Sequence, residues 1–197
     1  KAVTRAVDAA AEAYKRDGGM IGLSYGLTDL DAKLGGAQDG DLVIIAGRPS
    51  MGKTALGASI ARAMAIAGHP GMFYSAEMPD VQLVHRMMSD HLYETPHKIA
   101  YTELRRGTFH GDKFNGVIEA ARAIESWPII IEQEGGLTMG QVAARARTWK
   151  RKLGLRWLVV DYIQLLQASD RYRGNRVNEV SEITQGLKLL AKELKIP

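Results

Sequence analysis

Apolar positions fall into two kinds of pattern along the chain. Leu42-Val43-Ile44-Ile45-Ala46, Met72-Phe73-Tyr74-Ser75, Pro128-Ile129-Ile130-Ile131-Glu132 and Trp157-Leu158-Val159-Val160-Asp161 are short, nearly continuous apolar runs. Such runs predict strands buried on both faces. Between them the apolar residues recur at helical spacing. Leu56, Ile60, Ala63, Met64 and Ala67 form one stripe; Val84, Met87, Met88 and His91, behind Asp80, form a second. Phe114, Val117, Ile118, Ala121 and Ile124 form a third, Val142, Ala146, Trp149 and Leu153 a fourth, and Val180, Ile183, Leu187, Leu190 and Leu194 close the chain. Strands alternating with helices predict an α/β domain whose mainly parallel central sheet is flanked by helices.

Punctuation fits that order. Gly68-His69-Pro70 stops a helix, and Thr138-Met139-Gly140-Gln141 opens one as a capping box. Lys1 to Arg16 predicts a separate helix with a narrow stripe of Val3, Val7, Ala10 and Tyr14, ended by Asp17-Gly18-Gly19. It is either a plain extension or a linker that docks elsewhere. Gly22 to Gly40 is turn-rich, with Leu27, Leu30 and Leu34 as its expected anchors over the sheet edge, and Tyr93 to Asp112 reads as irregular. Residues 1–19 therefore form a linker helix and residues 20–197 a domain.

Composition narrows the class. With 197 residues and 46% hydrophobic content the chain can bury one sizeable core. The net charge of +4 permits a polyanionic partner without requiring one. Cysteine is absent, which excludes disulfides, a thiolate nucleophile and cysteine-ligated metals. No apolar run nears the ~20 residues needed to cross a bilayer, and a soluble cytoplasmic protein is expected.

The chemistry centres on Gly47-Arg48-Pro49-Ser50-Met51-Gly52-Lys53-Thr54, followed by Ala55. It fits the phosphate-binding pattern G-x-x-x-x-G-K-[ST] between a strand run and a helical stripe. Glycines let backbone N–H groups face a pyrophosphate, and the helix N-terminus adds positive potential. Lys53 would reach the β/γ-phosphates and Thr54 would offer a hydroxyl to Mg²⁺. Glu77, closing the second strand run, is either a base orienting an attacking water or a solvated strand-end glutamate. Asp161, closing the last, is placed as a Mg²⁺ carboxylate. His91 reads as packed or half-exposed. Arg145, Arg147, Lys150, Arg151 and Lys152 read as a solvated basic face, with nucleic acid or a neighbouring subunit as the alternative. Arg171, Arg173 and Arg176, beside Tyr172, sit on a stretch that either contacts a single-stranded nucleic-acid backbone or is a plain loop.

These residues together resemble the motor domain of the DnaB-type replicative DNA helicases. The likeness rests on Gly26-Leu27-Thr28-Asp29-Leu30-Asp31, Gly40-Asp41-Leu42, Arg48 to Ala55, Glu77-Met78-Pro79, Asp161-Tyr162-Ile163-Gln164-Leu165 and Asn175-Arg176 through Leu194. The resemblance implies a RecA-like P-loop NTPase fold and a hexameric ring that hydrolyses ATP with Mg²⁺ and moves 5′ to 3′ on single-stranded DNA. By position it makes Lys53 and Thr54 the phosphate and Mg²⁺ residues, Glu77 the catalytic base, Asp161 the Walker-B carboxylate and residues 1–16 a linker helix docking on the adjacent subunit. In the family an N-terminal helical domain bears on primase and helicase-loader contacts. The family also continues past the equivalent of Pro197 with a strand between the two Walker strands, a phosphate sensor, a DNA-contacting loop and an arginine finger. The ATPase domain is thus expected to be incomplete at its C-terminal end, with a gap between Val43-Ile44-Ile45 and Leu158-Val159-Val160. A recombination or repair ATPase of the RecA and RadA kind, and a nucleotide-dependent loader or switch, are the alternatives.

Overall fold

A computed structural model describes residues 2–15, 20–168 and 174–197. Its elements run α1 (Ala2–Lys15), α2 (Thr28–Leu34), α3 (Lys53–Ile66), β1 (Gly71–Ser75), α4 (Asp80–Tyr93), α5 (Tyr101–Arg106), α6 (Phe114–Glu125), β2 (Ile129–Gln133), α7 (Met139–Leu153), β3 (Trp157–Asp161) and α8 (Arg176–Leu194). The strands form a parallel sheet in the order β2-β1-β3. Ser75 at the end of β1 is level with Gln133 on one side and Asp161 on the other.

Period-two alternation divides the sheet between two cores. Phe73, Ile129, Ile131, Trp157 and Val159 pack with Ala58, Ala61 and Met64 of α3 and Leu83 and Met87 of α4. Met72, Tyr74, Ile130, Leu158 and Val160 face the other way, onto Val142 and Ala146 of α7 and Ile183, Leu187 and Leu190 of α8. A third cluster of Met88, Leu92, Ile99, Leu104 and Ala120 joins α4, α5 and α6. Close approach at the sheet's lower edge depends on Gly71, where an added Cβ would fall 1.7 Å from the Trp157 ring. Trp157 is fully buried, and its Nε1 donates to the His69 carbonyl at 2.9 Å.

Several expectations need correction. Leu42-Val43-Ile44-Ile45-Ala46 pairs with no strand among the described residues, and Ile44 is 61% exposed. An apolar run becomes a strand only when a neighbour takes its backbone hydrogen bonds, and none of the three strands does so here. Chain already enters that interval: Gly40 N–H donates to the Ile196 carbonyl at 3.3 Å, and Leu158 N–H to the Pro197 carbonyl at 3.1 Å. In the turn-rich segment Leu27 and Leu34 are exposed, while Leu23, Tyr25 and Ala37 are buried, with Leu30 packed against them. The segment covers α3 and contains a helix; Gly26 lies so close to Ala63 that a Cβ would meet it at 2.4 Å. The stretch after Tyr93 is likewise not wholly irregular, since α5 forms there around buried Leu104. Helix α3 buries more than its expected stripe, including Ala58, Ala61, Ala65 and the charged Arg62.

Arg62 is 7% exposed; its two terminal nitrogens form a two-pronged ion pair with Glu94, with a longer contact to Asp90 at 3.6 Å, while its Nε is buried without a partner. That arrangement staples α3 to the end of α4. The neighbouring His91 packs edge-on against Trp127 at 5.6 Å, and burial, then the Arg62 charge, hold its pKa below the ordinary value.

Candidate nucleotide site

The connection after α3 fixes where its first residues lie. Only residues 67–70 separate Ile66 from β1, so the helix runs back along the sheet and its N-terminus arrives at the carboxyl ends of the strands. Contacts midway agree, because a Cβ added at Gly57 would meet the side chains of Val159 and Phe73 at 3.8 and 3.9 Å. From Gly57, Thr54 is ~4.5 Å back along the helix; from Val159, Asp161 is ~7 Å on along the strand. Trp157 and Val159 face α3, and Asp161 continues the same alternating row. The sheet therefore aims Asp161 at the end of α3 that carries Lys53 and Thr54.

The loop feeding α3 turns on two left-handed residues. Ser50 (φ 63°) and Gly52 (φ 86°) are left-handed, and Met51 N–H donates to the Arg48 carbonyl at 3.3 Å. Residues 47–52 are exposed, and no side chain caps the first turn of α3, whose N–H groups remain open to an acceptor. Lys53 bends back over the loop and donates from Nζ to the carbonyls of Gly47 at 2.9 Å and Arg48 at 3.2 Å. The ammonium thus lies over the loop, bonded to two of its backbone carbonyls. Pro49 and Ala55 complete the run of expected binding residues, on the loop and in the first turn of α3.

Asp161 is 8% exposed, and its Oδ2 is buried with no hydrogen-bond partner. A buried oxygen of this kind is suited to a hard cation. Among the described residues no group of three or more His, Cys, Asp or Glu could hold a metal. An Mg²⁺ ion here would take its protein oxygens from Asp161 and Thr54, with nucleotide and water supplying the rest.

Glu77 stands exposed two residues beyond β1. Ser75 shapes its turn: its Oγ donates to the Met78 carbonyl at 2.8 Å and accepts from Met78 N–H at 3.2 Å, while Ala76 N–H donates to the Asp161 carbonyl at 2.7 Å. Glu77 and Asp161 consequently emerge on the same sheet edge. The signal for Ser75 was a small polar residue between an apolar strand and an acid, which sequence reasoning passed over.

The expected DNA contacts fare unequally. Arg171 and Arg173 lie outside the described residues. Arg176 begins α8 and donates to Glu179 at 3.1 Å and to the Gln164 carbonyl, so its guanidinium is tied to its own chain. The basic residues of α7 are largely structural. Arg145 bridges Glu132 and Glu134, Trp149 Nε1 donates to Glu132 at 2.7 Å, and Arg147 grips Glu193 of α8 at 2.7 and 2.8 Å. Lys150 donates to the Leu155 carbonyl at 2.8 Å.

The family described as DnaB-like helicase C terminal domain matches residues 22–197. The replicative DNA helicase DnaB of Rickettsia prowazekii (strain Madrid E) is 40% identical over 196 residues, covering 94% of this chain and 39% of the relative. That of Geobacillus stearothermophilus is 36% identical over 185 residues, covering 93% of this chain and 40% of the relative. The chain thus spans about two-fifths of the length of these curated relatives. Among solved structures, the ATPase domain of G40P superposes with a TM-score of 0.87 at 28% identity, covering 100% of this chain and 68% of that one. The structure of a DnaB-like replicative helicase and its interactions with primase matches at 0.82 and 28% identity, covering 96% of this chain and 46% of that one.

Proposed function

The chain belongs to the DnaB-like helicase C-terminal domain family, and from that premise we propose that it is the motor part of a replicative helicase. It binds ATP with Mg²⁺ and couples hydrolysis to 5′-to-3′ movement along single-stranded DNA and to duplex unwinding. The observation carrying this is the aim of Asp161, with its unpartnered buried oxygen, toward the phosphate loop and Lys53. Residues 47–55 hold the phosphates. Lys53 exchanges its bonds to the Gly47 and Arg48 carbonyls for phosphate oxygens, and Thr54 and Asp161 hold Mg²⁺. Glu77 is the base that orients water. Catalysis of this class is chiefly positioning and charge stabilisation, which a preformed loop supplies.

The same reading makes α1 an assembly element. Val3, Val7 and Tyr14, the stripe expected from sequence, are exposed on this chain; a neighbouring copy in a hexameric ring covers them. Continued chain along the open side of β3 completes the sheet and brings a phosphate sensor and an arginine finger. Arg171 and Arg173 contribute to single-stranded DNA binding, primase and a helicase loader are the protein partners, and the cytoplasm is the setting.

Paired variants test the site. Lys53→Ala should abolish hydrolysis and weaken triphosphate binding, whereas Glu77→Gln should cut turnover by ~10²–10⁴-fold with binding retained. Near-normal turnover in the first, or parallel loss of binding and turnover in the second, would overturn the assignment.

A further inference from the structure

The layer formed by α4, α5 and α6 carries cations held against aromatic rings. Arg62, Arg145, Arg147 and Arg176 all hydrogen-bond carboxylates. Arg86, Arg105 and Arg106 have no carboxylate or carbonyl partner among the described residues, and Arg86 Nε is buried without one. Two of these guanidiniums are held against one ring: Arg86 lies 4.3 Å and Arg105 6.0 Å from the Tyr101 centroid. Lys98 lies 5.0 Å from the centroid of Tyr93, which is 70% exposed. Lys113 joins them by donating to the Lys98 carbonyl at 2.9 Å, and next to it Phe114, 53% exposed, stacks on Phe109. Lys98 and Tyr101 are three residues apart, within ~10 Å, so both groups belong to one surface.

Nearby acids are engaged in the opposite sense. Asp90 and Glu94 at the end of α4 are turned to Arg62, and Glu103 on α5 accepts the Ala100 N–H at 2.9 Å. Internal bonds thereby engage these three carboxylates, and ring contact stiffens the Arg86 and Arg105 guanidiniums, which lowers the entropy lost on binding. Polyanion affinity explains the unpaired cations, and the exposed Tyr93 and Phe114 rings distinguish the kind of polyanion. Flat exposed rings between fixed cations suit unpaired bases stacked between phosphates, the pattern of single-strand binding surfaces.

We propose that Arg86, Arg105, Arg106 and Lys98, with Tyr93 and Phe114, form an accessory surface for single-stranded nucleic acid, separate from the nucleotide loop. It rests on these contacts and not on the helicase reading, so failure of the Lys53 and Glu77 tests leaves it standing. The probe is a fluorescein-labelled oligothymidylate titrated into the full chain at several salt concentrations. Arg105→Ala/Arg106→Ala, both exposed positions, should weaken binding about tenfold and reduce the salt slope by about 1.4, the share of two phosphate contacts on a single strand. Arg151→Ala/Lys152→Ala removes equal charge from α7 and should do neither. Equal losses from the two double variants would reduce the patch to net charge and overturn the proposal. So would displacement of the oligonucleotide by polyglutamate at matched charge, which would mark an acidic-protein dock instead. With 5-bromodeoxyuridine in the probe, photocrosslinks should map to Tyr93 or Phe114; crosslinks confined to residues 168–178 would also refute it.

Discussion

Replacing Asp161 with Asn separates what the site costs the fold from what it gives the ligand. In the parent, a nearly buried carboxylate keeps Oδ2 without a hydrogen bond. An unsatisfied buried polar atom costs ~1–3 kcal/mol, more when ionised, and an amide of the same shape keeps the polarity but drops the charge. A net gain of ~1–2 kcal/mol follows for the nucleotide-free variant. For a chain of this size that corresponds to a rise of about 2–8 °C in Tm. Nucleotide reverses the order. Mg²⁺ with a non-hydrolysable triphosphate at a hundred times its Kd stabilises by ~2.7 kcal/mol, or about 5–11 °C in the parent. Asp161→Asn should lose the part of that increment abolished by EDTA. Circular-dichroism melts of both proteins, with and without ligand and chelator, give all the differences. A variant that melts at or below the parent without nucleotide, or that keeps the full Mg²⁺-dependent increment, would refute the assignment of Asp161 as a cation site.

Other perturbations address the frame around the site. The Arg62 hydrogen bond holds the Glu94 carboxyl below its ordinary value of 4.5, so its contribution is present above that pH and lost as pH falls through the lowered value. His91, held below 6.5 by burial, behaves in the same direction, its neutral form supporting the fold until acid protonates it. Glu94→Gln should lower stability near neutrality and flatten the decline below pH 4.5 in urea titrations; an unchanged acid limb would dismiss the staple. Gly71→Ala drives a methyl into the Trp157 ring and should cost about 3 kcal/mol or more, read as a lower urea midpoint, and a cost under ~1 kcal/mol would contradict the packing described. Thr138→Ala removes the cap that accepts Gln141 N–H at 3.3 Å and should cost ~1 kcal/mol with an unchanged m value.

What the sequence disclosed depended on whether a residue's role is local. The capping box at Thr138 and the strand ending in Asp161 are set by neighbours within a few positions, and each stands where its pattern placed it. Leu42 to Ala46 has equally strong strand composition, yet strand formation is a property of a pair and no partner lies beside it. Leu27 and Leu34 seemed better anchors than Leu23 and Tyr25 because size was legible and the Leu23–Ala37 bridge that fixes the segment's inner face was not. Arg62, one position after Ala61 on an apolar helix, carries no local mark of its burial. Only the long-range approach of Glu94 and Asp90 makes its burial tolerable. The basic run on α7 lies at the surface as read, but its ion pairs to Glu132, Glu134 and Glu193 were not legible, since those carboxylates come to it from other elements.

The interval beside β3 sets a mechanical tolerance for the chemistry. Residues 42–46 lead into the phosphate loop and β3 leads into Asp161, while Ile196 and Pro197 bridge Gly40 to Leu158 where that interval begins. Two strand spacings, ~9.6 Å, separate such rails when a single extended chain lies between them. Helix α3 fixes the far end of the loop at residues 47–52. If that loop and Asp161 form the proposed nucleotide site, the thickness and stiffness of any chain seated in the interval would set the distance between them. A bulge or slipped register there would detune the site without altering any residue proposed to touch nucleotide.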